Sequence, residues 1–349
     1  GINLTLYPNE TLSHEVIDYG VIGEAINTLP ALLKALENKE DISKIPGIIY
    51  RNKDNKLIVT EVVKDFVDFD TYPFPARHLL ENEKYYSFIS QKKNFTIMLT
   101  TTGCPFKCKF CAIVQAPYRV RSPKNVVDEI EECYHEFDVR EIDFFDATLL
   151  INKPRVLAIF NDMKRRKLDI EWSCRSRVDT VDEEMLKEAA KAGCRQIYFG
   201  IESIVPEILN SVDKRITPER VRQTIKLTKK YGIRSMGFFM VGNPGESKRS
   251  VDMTIDFAKK LGLDFVQVCR TIAKPGTDLD KVMIEKTGID YWREHVLGKI
   301  IDHRLPTPWT TLSELDIEAF TKRFYAKFYF RPQIVLKRLS QIKSPTELK

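Results

Sequence analysis

From residue 95 onward, short apolar runs alternate with segments whose apolar residues recur every three or four positions, at a beat of about 30 residues. The runs at 95–101 (FTIMLTT), 141–146 (EIDFFD), 170–175 (IEWSCR), 195–200 (RQIYFG), 233–241 (IRSMGFFMV) and 263–269 (LDFVQVC) read as six strands. The segments between them read as helices and carry their own punctuation. Ser122 caps and Pro123 opens a helix that turns Val126, Ile130, Cys133 and Phe137 to one side and Lys124, Asp128, Glu132 and Glu136 to the other. Thr180 and Glu183 read as a capping box for a helix that Gly193 closes. Thr217 and Pro218 open a helix closed by Gly232, and Ser247 starts one ended by Gly262. Alternating strands and helices predict an α/β fold with a parallel sheet. Six βα units without a seventh or eighth predict a partial (β/α)6 barrel, open along one side.

Residues 1–93 follow a different pattern. The stretch 18–24 reads as one buried strand running into a turn, 31–36 as a helix, and 47–51 with 57–63 as a hairpin turned at Lys53, Asp54 and Asn55. One strand, one helix and a hairpin are too little to enclose a core, so this part reads as the remnant of a larger domain. The prolines of Tyr72-Pro-Phe-Pro-Ala76 mark a linker. Residues 286–349 read as helical, aromatic and basic, with Phe324, Tyr325, Phe328, Tyr329 and Phe330 among Lys322, Arg323, Lys327 and Arg331. Helix packing explains that cluster most simply. The expected division is 1–93, then 94–285 for the barrel, then 286–349 for a helical C-terminal cap.

Composition narrows the class. Of 349 residues 43% are hydrophobic, and 55 basic against 49 acidic residues leave a net charge of +6. That excess is mild and spread out, too weak to mark a nucleic-acid or membrane surface. No apolar run reaches the ~18 residues of a membrane span and no signal peptide is legible, so a cytoplasmic protein is expected. The chain starts at Gly1 instead of a methionine and is read as a piece of a longer protein.

Seven cysteines, an odd number without a secretory signal, argue against a disulfide framework. Cys133, Cys174, Cys194 and Cys269 stand apart in apolar segments and read as small buried hydrophobes. Cys104, Cys108 and Cys111 are bunched as C-x3-C-x2-C just after the first barrel strand. Three thiolates there can hold three irons of a 4Fe-4S cluster, and no fourth cysteine stands nearby, so the last iron is open to a ligand. Gly103 permits a tight exit from the strand, Pro105 stiffens the loop, and Lys107 and Lys109 put positive charge beside an anionic cluster. The competing reading is zinc, which wants four ligands in a closed site. The nearest candidates, Cys133 and His135, lie on the following helix. A rival of another class is a non-catalytic Fe-S or zinc protein that binds a partner through its basic C-terminal helices.

At these residues the chain resembles the radical SAM superfamily, whose C-x3-C-x-aromatic-C loop is matched by Cys104, Cys108, Phe110 and Cys111. Further matches fall at strand ends: Phe144-Phe-Asp-Ala-Thr148, Arg177-Val-Asp179, Gly200-Ile-Glu-Ser203, Val241-Gly-Asn-Pro-Gly-Glu246 and Lys274-Pro-Gly-Thr277. In a parallel barrel the reactive groups belong at those ends. The resemblance implies a 4Fe-4S cluster on the three cysteines and S-adenosylmethionine (SAM) beside it. It places Phe110 on the adenine, Asp146 on the amino group, Arg177 on the carboxylate and Glu202 on the ribose. It further implies reductive cleavage of SAM to methionine and a 5′-deoxyadenosyl radical that takes a hydrogen atom from an unreactive carbon. The electron would come from a donor such as flavodoxin or ferredoxin.

The N-terminal part resembles the tail of a Rossmann-like cobalamin-binding domain fused ahead of such a barrel. Gly1-Ile-Asn-Leu-Thr5, the stretch 18–25, Gly47-Ile-Ile-Tyr-Arg51 and Phe74-Pro-Ala-Arg77 follow that pattern. Asn3 departs from the usual histidine, Ala25 and Ile26 from a second Gly-Glu, and Thr102 from an arginine before Gly-Cys-Pro. The cobalt-ligating Asp-x-His-x-x-Gly motif does not occur in the chain, so cobalamin is implied for the longer parent. This branch implies cobalamin-dependent methylation of an unactivated carbon or phosphorus centre, with oxidative cyclisation or ring contraction as the second outcome. Methylthiolating tRNA enzymes carry a second cysteine trio before the barrel, and no cysteine precedes Cys104. The small-molecule substrate and the catalytic residues stay unassigned.

Overall fold

The computed structural model describes residues 2–62, 68–85, 92, 94–299, 305–332, 334 and 336. Its contacts gather into two compact units, Gly1–Pro73 with Ala273–Pro308, and Phe74–Ile272 with Trp309–Lys349.

In the smaller unit, β1 (Tyr19–Val21), β2 (Ile48–Arg51) and β3 (Leu57–Val59) form an antiparallel sheet in that order, beside helix α1 (Thr28–Glu37). Asn52 Oδ1 closes the hairpin by accepting the backbone N–H groups of Asp54 and Lys56 at 3.0 and 2.8 Å, with Asn55 at φ 60°. The predicted hairpin end at Val63 lies outside the described residues. The later segment packs here too: the Tyr7 hydroxyl donates to Asp290 at 3.1 Å, and Arg293 pairs with Glu10 at 2.7 Å.

The larger unit holds β4 (Phe95–Met98), β5 (Glu141–Phe144), β6 (Glu171–Arg177), β7 (Cys194–Glu202), β8 (Arg234–Val241) and β9 (Phe265–Arg270). They form one parallel sheet in chain order, so β4 and β9 are its two edges. This is the open six-strand barrel the alternation predicts. Between the strands lie α2 (Pro123–Glu136), α3 (Lys153–Arg165), α4 (Glu183–Lys191), α5 (Pro218–Lys230) and α6 (Lys248–Lys260). One parity of strand residues, among them Ile142, Phe144, Trp172, Ile197, Phe199 and Phe239, joins Val126, Ile130, Ile159 and Ile255 of the helices in a single buried core. Cys133, Cys174 and Cys194 are buried as expected, whereas Cys269 is exposed on the edge strand. Ser122, Thr217 and Ser247 cap their helices by accepting the N–H groups of Asn125, Arg220 and Ser250 at 3.1, 3.2 and 3.3 Å. The start of α4 corrects the sequence reading. Asp182 caps it, accepting from Met185 N–H at 2.8 Å, while the Thr180 hydroxyl turns back to the Arg177 carbonyl.

An unclosed sheet leaves a row of free backbone groups on each edge, and side chains cover both. At β4, Arg77 donates to the Ile97 carbonyl and to Thr96, each at 3.3 Å. It is held there by buried Glu129 of α2 at 2.7 Å, which also pairs with Arg121. At β9 the work is done by α7 (Glu314–Tyr329), whose Phe320, Phe324 and Phe328 enter the core. Tyr325 and Tyr329, one turn apart, reach the edge. The Tyr325 hydroxyl accepts from Val268 N–H at 2.9 Å and donates to its carbonyl at 3.3 Å. Tyr329 does the same at Val266, at 3.0 and 2.9 Å. The aromatic C-terminal helix is thus edge protection as well as packing. The predicted helical segment beyond residue 336 lies outside the described residues.

Replacing both tyrosines by phenylalanine should lower unfolding stability by about 1–3 kcal/mol. The Val266 and Val268 amides should then lose hydrogen-exchange protection ahead of the sheet's centre. Equal protection in both proteins would contradict the edge role.

Candidate active site

Past β4 the chain forms a two-residue ribbon, Thr101–Thr102 against Arg119–Val120, and then enters the cysteine loop. The loop's two ends nearly touch at Gly103. A Cβ there would lie 2.3 Å from the Pro117 carbonyl oxygen, and φ is +66°, so the position needs glycine. Lys109 N–H donates to the Val212 carbonyl at 3.1 Å, which ties the loop to the segment after β7.

Cys108 is buried, and Cys104 and Cys111 are half-buried. Burial pushes the Cys108 thiol up, with Lys214 and Arg177 pulling the other way. Burial also pushes up Cys111, to which the neighbouring Cys104 adds. Arg177 lies directly on this loop. Its Nη1 is 3.6 Å from Cys108 Sγ, and its guanidinium carbon stands 3.9 Å from the centre of the Phe106 ring. The other nitrogens are taken by Asp179 at 2.9 and 2.8 Å and by the Lys214 carbonyl at 2.6 Å.

The end of β7 is bent on purpose. Gly200 pairs with Phe238 and Glu202 with Phe239, so Ile201 bulges out of the ladder. Glu202 itself sits at φ +63°, a region side chains rarely adopt. The bend brings its carboxylate 2.9 Å from Lys214 Nζ, with both side chains almost wholly buried. Gly200 makes the space, because a Cβ there would be 2.7 Å from both Glu202 Oε1 and Lys214 Nζ.

Asp146 follows β5 and is fully buried. One oxygen, Oδ1, accepts from Thr100 N–H at 3.0 Å, the Thr100 hydroxyl at 3.1 Å and the Thr101 hydroxyl at 2.5 Å. The other, Oδ2, has no partner. Burial pushes this carboxyl up, opposed by the threonine bonds and by Arg155. Glu246 spends its carboxylate inside its own turn, on Gly242 N–H at 2.6 Å and Asn243 N–H at 3.1 Å. Burial pushes it from an ordinary 4.5 to about 7.

The structure therefore gathers the cysteine loop, Arg177 and Glu202 at the ends of their strands, and anchors Asp146 to the ribbon from which the loop springs. Phe110 is half-buried, and the ring that meets Arg177 is Phe106. Lys214 escaped the sequence reading. Nothing in its spacing separates a buried lysine from the other 54 basic residues of the chain.

Among the described residues no three His, Cys, Asp or Glu side chains close on a single ion. Three soft donors with Arg177 and Lys214 beside them suit an anionic iron-sulfur core, whose charge two buried cations offset. The unpartnered Asp146 Oδ2 is an acceptor that a ligand's N–H can fill.

Fold and loop together define a class. The sequence model of the radical SAM superfamily matches residues 98–258. An uncharacterized methyltransferase of Pyrococcus horikoshii is 32% identical over 344 residues, which cover 97% of this chain and 73% of that protein. The chain belongs to the radical SAM superfamily, whose members work with a 4Fe-4S cluster and SAM. The anaerobic magnesium-protoporphyrin IX monomethyl ester cyclase of Rubrivivax gelatinosus is 28% identical over 291 residues, 81% of this chain and 52% of its own length. The solved structure of TsrM from Kitasatospora setae, a radical SAM methyltransferase with cobalamin and a 4Fe-4S cluster bound, shares the fold with a TM-score of 0.65. There the identity is 20%, over 81% of this chain and 57% of that one. The chain thus spans only about half to three quarters of the length of these proteins. No described helix is long and apolar enough to cross a membrane.

Two measurements probe the site's construction. Gly200→Ala should displace the Glu202–Lys214 pair and cost ~2–4 kcal/mol in denaturant unfolding; a loss under ~0.5 kcal/mol would contradict the tight fit. Glu246, by contrast, keeps its proton in the folded chain up to about 7 but loses it near 4.5 when unfolded. Its contribution is complete below that lower value and falls as pH rises through the interval, because the unfolded chain ionises first. Glu246→Gln should flatten that part of the stability profile. Parallel profiles would contradict it.

Proposed function

We propose that the chain carries the radical half of a cobalamin-dependent radical SAM methyltransferase acting on an unactivated carbon or phosphorus centre of a small molecule. The observation that carries the first part of this reading is the cysteine trio on one loop, which holds no fourth cysteine, with Arg177 and Lys214 acting on Cys108. Cys104, Cys108 and Cys111 hold the cluster and leave one iron for SAM. Bound there, cluster and SAM supply the one-electron scission of the C5′ to sulfur bond and hence a carbon radical able to take a hydrogen atom.

The residues of the chain place and shield. Asp146 offers its free oxygen to the SAM ammonium. Glu202, positioned by Lys214, faces the ribose hydroxyls, and Phe110 packs on the adenine. Arg177 is assigned to the carboxylate by resemblance, yet its nitrogens are already held by Asp179, the Lys214 carbonyl and Cys108. We therefore give it the nearer task of offsetting thiolate charge and fixing the loop. Residues 1–93 resemble part of a corrin-binding domain but carry no Asp-x-His-x-x-Gly motif, so the cobalamin half of the proposal rests on that resemblance and not on a cobalt ligand of this chain. The methyltransferase name of the Pyrococcus horikoshii relative supports the methyl-transfer half of the reading.

Oxidative cyclisation is the second reading, and one surface favours it. Away from the helices, Arg175 lies 4.1 Å over the Phe145 ring and 4.9 Å over Tyr198, and Tyr198 stacks on Phe238 at 5.9 Å and 8°. Arg175 is neutralised by Asp143 at 2.6 Å. A flat, largely uncharged wall of this kind suits a planar substrate such as the porphyrin named for the Rubrivivax gelatinosus relative.

Reconstituted anaerobically with iron and sulfide, the protein should turn brown and release 5′-deoxyadenosine from SAM when dithionite is added. Cys108→Ala should abolish that release, and Cys133→Ala should leave it intact. Colourless protein holding stoichiometric zinc, or loss of cleavage in Cys133→Ala, would overturn the ligand assignment.

A further inference from the structure

The cysteine loop has two faces, and the site described above uses one of them. From Cys104 to Phe110 burial alternates residue by residue: Cys104, Phe106, Cys108 and Phe110 are buried or half-buried, while Pro105, Lys107 and Lys109 are exposed. The two ends of the loop meet where Gly103 packs against the Ala116 and Pro117 carbonyls. Closed in this way, the outer row forms a ridge. Ile113, 47% exposed, continues it, together with exposed Ala116 and Pro117.

The charge on this ridge has one sign. No acidic residue occurs from Lys84 to Val127 and eight basic ones do, in a chain where 49 of 349 residues are acidic. Arg121 and Lys124 have partners in Glu129 and Asp128, whereas Lys107 and Lys109 make no ion pair among the described residues. The segment that Lys109 touches at Val212 adds no net charge, because Asp213 and Arg215 pair with each other. Offsetting the thiolates is a task for other groups. Arg177 and Lys214 already act on Cys108 from inside the fold, where attraction is strong, while the two exposed lysines are screened by water and salt. An apolar centre with an exposed charged rim suits a protein partner. Lys107 and Lys109 also flank Cys108 directly, so an electron arriving at the ridge has only loop backbone to cross. The inner side of the thiols is the side from which water has to be kept.

We infer that this ridge is the docking surface for the one-electron donor, and that the donor is a small acidic carrier protein. The inference rests on the cluster reading above. That reading requires a reductant; the ridge adds where it binds and what charge it bears. One electron passes from the reduced carrier to the cluster, the carrier leaves oxidised by one electron, and no bond is made or broken. Lys107 and Lys109 steer and orient the carrier, and they touch neither SAM nor substrate. Encounters of this kind bury little area, so charge at the rim governs their rate and salt dependence.

The test uses the full chain, reconstituted anaerobically, with a flavodoxin of net negative charge as the probe. Calorimetric titration with the oxidised flavodoxin should show binding that weakens as salt is added. In Lys107→Gln/Lys109→Gln the affinity at low salt should fall about tenfold and lose most of its salt dependence. Release of 5′-deoxyadenosine driven by reduced flavodoxin should slow by a similar factor in that variant. Release driven by excess dithionite, a small reductant that needs no docking surface, should keep the wild-type rate per cluster. If the double variant takes up no iron, Ile113→Glu, which sets a like charge against an acidic carrier, should weaken flavodoxin in the same way. Equal slowing with both reductants would assign the lysines to the cluster, and unchanged flavodoxin binding would place the donor elsewhere; both overturn the inference. So would wild-type protein that dithionite drives and flavodoxin neither binds nor drives. Wild-type protein that releases no 5′-deoxyadenosine with either reductant would instead sink the cluster reading on which the inference rests.

Discussion

A parallel sheet that stops at six strands cannot satisfy its own edges, and the larger unit is organised around that shortfall. A closed barrel has no free edge, whereas this one has two, at β4 and β9. Arg77, braced by buried Glu129, covers one, and Tyr325 and Tyr329 cover the other. The benefit is access. With the edges blunted the sheet stays open, and its inner face can present Ile97, Leu99 and Phe145 to whatever enters. A closed barrel of this size would fill that space with side chains.

The chemistry sits where buried charge is hardest to place. Three thiols meet two cations that have themselves left water, and each cation is paid for locally: Arg177 by Asp179, Lys214 by Glu202. Burying one member of such a pair without the other would be strongly unfavourable. The bulge at Ile201, the positive φ of Glu202 and the missing side chain at Gly200 exist to make the second pair fit. Backbone strain at this strand end therefore serves the loop that follows β4, three strands away in the sheet.

Much of this was legible in the sequence, for definite reasons. Strand positions followed from apolar runs, and helix starts from Ser122-Pro123, Thr217-Pro218 and Ser247, because capping is a local affair. The cysteine loop was legible because its spacing is. What the sequence hid was non-local. Asp182 displaced Thr180 as a cap by two residues. Lys214, Glu129 and Phe106 look like any lysine, glutamate or phenylalanine until the fold sets them against partners elsewhere in the chain.

The proposal that matters most is that one iron has no protein ligand. Mössbauer spectroscopy of the protein reconstituted with 57Fe, with and without SAM, addresses it directly. One iron site in four should change its isomer shift and quadrupole splitting when SAM is added while the remaining three stay as they were. Four sites that are alike and unaffected by SAM would contradict it.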